Sequence, residues 1–116
     1  MGVTINRDAL IIFPKQPLID WANALTEDEK IECPKLMDHD KGSVYLMPET
    51  NNYEEGIELL EDNFTFFFEE ELYSWVTDEE LWPKPLTWEL FQEFFHFSIQ
   101  SLVVDTLEDP LERDDF

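Results

Sequence analysis

The chain has 116 residues, with 28 Asp and Glu against 7 Lys and Arg, and its formal net charge of −21 disfavours direct contact with nucleic acid or an anionic membrane surface. Aromatic residues make up 15% of it, which excludes ordinary acidic disorder, because such chains lack the apolar surface to offset their ordering entropy. The length suits one domain with one core.

The first predicted element is a strand over 8–13, where Asp-Ala-Leu-Ile-Ile-Phe forms a short apolar, β-branched run that stops at Pro14. Pro17 then suits the first turn of a helix, where its missing N–H is not needed, and Leu18, Trp21, Ala22 and Leu25 share one face. Thr26-Glu27-Asp28-Glu29 has capping-box spacing and predicts a short helical turn. Ile31 and Cys33 alternate like a strand, but Pro34 confines such a strand to an edge. Asp38–Gly42 reads as a turn and Ser43–Met47 as a second strand, so a hairpin 31–37/43–47 is expected.

A long helix is predicted over 53–76, with Asn52 before it and Glu55 three residues on. Tyr53, Ile57, Leu60, Phe64, Phe67, Phe68 and Trp75 make its apolar stripe. Glu54, Glu55, Glu58, Glu61, Asp62 and Glu69 take the opposite arc, and a break is expected near Asn63 or Ser74. Thr77–Glu80 again has capping-box spacing, and Thr87 reads as the N-cap of a helix over 88–104. That helix would be apolar over most of its circumference, so it is either central or shared with a partner.

The fold class expected is α+β: a small two- or three-stranded sheet packed against two or three helices. One domain would span 1–104, followed by an acidic, frayed tail over 105–116. A homodimer that extends the sheet or pairs the wide-faced helix would also cover a sheet of so few strands.

The segments Asn6–Leu10, Pro14–Trp21, Val44–Glu49 and Leu81-Trp82-Pro83 resemble an uncharacterised family of small acidic bacterial proteins. The resemblance covers most of the length. It implies a bacterial cytosolic protein and transfers no catalytic residues. In composition alone, an acidic α/β domain of this size is also similar to nuclease-inhibiting immunity proteins and to DNA mimics.

Candidate chemistry is sparse. Glu93-x-x-His96 has the spacing that di-iron bundles use, but such a site needs the motif twice, so a solvated helix face is expected. Asp38-His39-Asp40 lacks a closed ligand shell and reads as an Asp-rich turn. Cys33 and His39 would have to touch to make a nucleophile, and Cys33 reads as packing. Glu71 falls within the apolar stripe of the long helix. A bend near 69–71 that exposes it is expected, the alternative being a carboxylate paired at an interface. Lys15 and Gln16, between two prolines, read as a strand-to-helix connection.

No apolar run approaches the ~20 residues of a spanning helix. Met1–Phe13 holds Arg7 and Asp8 where a signal peptide needs an unbroken apolar stretch, and Cys33 is the only cysteine. A cytoplasmic location is expected, with no cofactor and no metal. Residues 1–49 hold nine acids and five bases, whereas residues 50–116 hold nineteen acids and two bases. The negative field therefore belongs to the C-terminal half and would raise the encounter rate of a basic protein. Charge also keeps so aromatic a chain soluble.

The function expected is a non-enzymatic interaction or inhibitor domain, immunity- or antitoxin-like, that binds a basic partner. Its contact residues would be Glu54, Glu55, Glu58, Glu61, Asp62 and Glu69, with Trp82 as an aromatic anchor. The alternatives are a mimic that occupies a DNA- or RNA-binding protein, and an enzyme without a recognisable motif. Added salt should raise the melting temperature by screening like-charge repulsion; thermal denaturation across a salt series checks this.

Overall fold

The computed structural model describes residues 2–114. The chain opens with a two-residue strand, Val3–Thr4 (β1), and then the seven-residue strand Asp8–Pro14 (β2). Leu10 and Ile12 on one face of β2 are fully buried, and Ile11 and Phe13 on the other are half-buried. Ser43–Met47 (β3) pairs antiparallel with one edge of β2, and Phe95–Gln100 (β4) pairs antiparallel with the other. The register sets Leu10 between Tyr45 and Ile99, and Ile12 between Ser43 and Phe97. Val104–Asp105 (β5) pairs with β1 in a separate ladder, Val3 opposite Asp105.

Three helices complete the α+β arrangement: Gln16–Ala24 (α1), Tyr53–Trp75 (α2) and Trp88–Phe94 (α3), with a 3₁₀ turn over Glu79–Leu81. Asn52 caps α2 by accepting from the Glu55 amide at 2.9 Å, and the Glu55 carboxylate accepts in return from the Asn51 amide at 3.0 Å. Gly56 lets α2 approach the sheet: a Cβ there would lie 3.3 Å from the Ile99 side chain. Thr87 caps α3 through the Leu90 amide at 3.1 Å.

Phe68 lies at the centre of the core. It is fully buried, with ring centroids 5.6 Å from Phe91, 5.7 Å from Phe94 and 5.6 Å from Phe95. All three contacts are edge-on, the geometry that aromatic quadrupoles favour. One side chain of α2 thus grips both α3 and the start of β4.

The structure corrects four expectations. The helix over 88–104 ends at Phe94, because the next six residues alternate Phe95, Phe97 and Ile99 inward with His96, Ser98 and Gln100, and that period fills the free edge of β2. The hairpin 31–37/43–47 does not form: β3 pairs with β2, and residues 31–37 contain no strand. Residues 26–29 form bends rather than a helical turn, with Thr26 Oγ1 accepting from the Asp28 amide at 3.0 Å. Finally, α2 runs unbroken through Asn63 and Glu71, and Glu71 is buried.

The boundary expected at 104 falls within β5. Residues 106–114 hold no regular element, and the last two residues of the expected tail lie outside the described residues. Among the described residues no helix is both long and apolar enough to cross a membrane. The length of α2 suffices, but it carries eight acids.

Phe68→Ala should cost about 3–5 kcal/mol of stability, because a fully buried ring leaves a cavity. Phe66→Ala, two residues away but 59% exposed, should change it by under about 0.5 kcal/mol. Urea denaturation at one salt concentration compares them.

Candidate functional site

The surface of α2 is one-signed. Its 23 residues include eight acids and no Lys or Arg. Glu54, Glu55, Glu58, Glu61, Asp62 and Glu69 are all exposed, as the periodicity predicts. Glu55 is the least free of the six, since its carboxylate is engaged at the helix cap, where it also accepts from Asn51 Nδ2 at 3.4 Å. Glu54 and Glu55 suit the positive end of the helix dipole, whereas Glu69 and Glu70 lie toward its negative end. Glu54–Glu58 and Glu58–Asp62 are like-charge i, i+4 pairs, each of which opposes helix formation by about 0.2–0.5 kcal/mol.

Trp82 does not join this face. It is buried in the core and its indole nitrogen donates to the Val76 carbonyl at 2.8 Å. The turn Glu79–Leu81, capped by Asp78, folds it inward, so its expected role as an exposed anchor is corrected to a core role.

A polar pair lies beneath α2. Tyr45 Oη donates to a carboxylate oxygen of Glu71, which is only 6% exposed. Burial pushes the Glu71 carboxyl above its usual range. The hydrogen bond from Tyr45 opposes that shift, and the neighbouring Glu70 charge reinforces it. Burial also raises the Tyr45 phenol, and the bond to Glu71 raises it further. Phe67 packs edge-on to Tyr45 at 5.1 Å. A recess of about 330 Å³ borders the pair, bounded by Asp40, Lys41, Ser43, Ser74 and Trp75. The pair thus joins α2 to β3 and lets a carboxyl in the apolar stripe stay satisfied. The sequence showed Glu71 out of place, but its partner, on the inward face of β3, becomes visible only with the register.

A groove of about 650 Å³ runs along the outer edge of β3. The strand side supplies Tyr45, Leu46, Met47 and Pro48, and α2 supplies Leu59, Asn63 and Phe66. Leu46 is 51% exposed and Phe66 59%. No sequence pattern marks it, because Leu59 and Phe66 lie off the apolar stripe of the helix and what they face depends on the position of β3.

The remaining candidates resolve into structure. Glu93 belongs to α3 and His96 to β4, so they share no helix face. Asp38 closes a turn, its carboxylate accepting from the Lys35 amide at 2.8 Å. The Cys33 thiol is half-buried and pushed up by burial and then by Asp20, the opposite direction from a thiolate nucleophile. Lys15 Nζ donates to the Gln92 carbonyl at 2.9 Å at the C-terminal end of α3, and Gln16 donates to Asp20 at 2.8 Å. Among the described residues no three His, Cys, Asp or Glu side chains converge as metal ligands would. Comparison with protein-family models, with curated proteins and with solved structures returns no match.

Because the folded state holds the Glu71 proton more tightly than the unfolded chain, that contribution to stability is complete below the ordinary carboxylate value and is lost as pH rises through the higher folded value. Glu71→Gln keeps an oxygen to accept from Tyr45 and removes the buried charge. It should be more stable than the wild type at neutral pH, with the gap closing as acid protonates Glu71. Tyr45→Phe should instead cost about 1–3 kcal/mol by leaving the carboxyl underpaired. Melting curves of the three proteins across a pH series check both.

Proposed function

We propose that the chain is a non-enzymatic interaction domain, of inhibitor or antitoxin type, that binds a basic protein through the acidic face of α2 in the cytoplasm. The observation that carries this reading is the helix itself: seven exposed acids without one cation, with like-charge pairs among them and with Glu69 and Glu70 toward the negative end of the dipole. Solubility needs net charge anywhere on the surface. It does not need that charge on one rigid helix, at a cost to the helix's own stability.

Glu54, Glu58, Glu61, Asp62 and Glu69 would act as steering charges on this reading, because exposed carboxylates raise association rates more than affinity. The apolar anchors must come from elsewhere, since Trp82 is in the core. A pull-down from the native host at low salt identifies the partner. Release of that partner by DNA or RNA would assign the mimic role within the same class.

The variant Glu54→Gln, Glu58→Gln, Glu61→Gln, Asp62→Asn should keep its fold and associate more slowly, with a flatter dependence on salt and a smaller change in dissociation. Stopped-flow or surface-capture kinetics across a salt series measures this. An unchanged association rate at every salt concentration would reduce the acidic face to a solubility device.

A further inference from the structure

We infer that the outer edge of β3 is a strand-addition site, which takes an extended, basic segment of another protein into the groove between β3 and α2. The inference rests on the reading that the partner is basic and adds where and how it binds.

The sheet order β3-β2-β4 leaves β3 paired on one side only. Among the described residues Ser43–Met47 make no backbone–backbone hydrogen bond outside their ladder with β2. Natural edge strands are guarded by lysines, prolines or bulges, and Ser-Val-Tyr-Leu-Met holds no charge and no proline. Its main chain is thus a ready template for one more strand. The groove beside it gives such a strand somewhere to place side chains. Leu46, Leu59 and Phe66 offer apolar contact, and Leu46 and Phe66 are more than half exposed.

Charge selects the occupant. Along α2, Glu55, Leu59, Asp62, Phe66 and Glu69 recur at three- and four-residue spacing, so acidic and apolar side chains alternate along one line of the helix. Glu70, exposed and four residues after Phe66, adds a further carboxylate at the C-terminal end of that line. A segment that alternates apolar and cationic residues would meet both. A second copy of this chain would not: its own β3 carries no cation, and it would bring another charge of −21. The recess beside the other sheet edge, β4, is lined by Ile11, Phe13, Leu36, Met37 and His96 and takes no side chain from the acidic helix α2, whereas the β3 groove takes Leu59, Asn63 and Phe66 from it.

The test uses a fluorescent peptide of alternating Lys and Val, the same peptide with alternate backbone amides N-methylated, and oligolysine of equal charge. Anisotropy reads affinity, and amide NMR of the full chain reads location. The inference expects the Lys-Val peptide to bind, to shift and protect amides of Ser43–Met47, and to lose at least tenfold in affinity on N-methylation. Leu46→Lys and Phe66→Ala, both at exposed positions, should each weaken it with the melting temperature held. Equal binding of the methylated peptide and of oligolysine would overturn strand addition and leave the basic-partner reading intact. No binding of any of the three would overturn both. A dimer in sedimentation that Leu46→Lys dissociates would also overturn the inference, since a second copy would then occupy the edge.

Discussion

β2 is buried on one face and half-buried on the other, so its backbone has no access to water and must be hydrogen-bonded along both edges. Most of the architecture follows from that requirement. β3 satisfies one edge. The other can be satisfied only by ending α3 after seven residues and drawing the chain straight into β4. The abrupt junction is held by Lys15, whose backbone amide donates to the Phe94 carbonyl at 2.7 Å while its ammonium reaches Gln92. A cation at the helix's negative end and a backbone bond at the same point make a stop without glycine.

This requirement also separates what was legible in the sequence from what was not. The strand of Leu10 and Ile12, the strand of Tyr45 and Met47, and the caps at Asn52 and Thr87 are local signals, and each occurs where its residues indicate. Residues 95–100 are ambiguous in the sequence, because a Phe-rich run satisfies a wide helical arc and a strand alternation equally. Only the open edge of β2 decides between them. Residues 31–37 show an alternation too, but Asn23 of α1 takes both the amide and the carbonyl of Ile31 and Pro34 has no N–H to give, so the segment leaves the outer edge of β3 open. The acidic arc of α2 could be read from phase alone. Trp82, Glu71 and the β3 groove could not, since each depends on which element lies across from it.

The charge pattern has two levels. Outside, carboxylates crowd one helix without cations. Inside, the only strongly buried acids, Asp8 and Glu71 among the described residues, are each bonded to side chains of the sheet region. Asp8 accepts from the Thr50 amide at 3.2 Å and hydroxyl at 3.0 Å, and Glu71 accepts from Tyr45. The core thus contains no free anion, and the outward field comes from surface carboxylates, on α2 and beyond it. That division lets the external face change in charge without disturbing the aromatic packing around Phe68.

The short ladder of β1 and β5 joins residues a hundred or more positions apart through two pairs, with one further bond from the Ile5 amide to the Val103 carbonyl at 2.9 Å. Closing so long a loop costs little more than closing one half its length, because the entropy grows only with the logarithm. Yet the ladder buries little, with Val3 and Val104 both largely exposed. Such a ladder is a clasp that can open while the core stays closed. Its amides would exchange with solvent hydrogens by local opening, while those of β2 would wait for the whole domain to unfold.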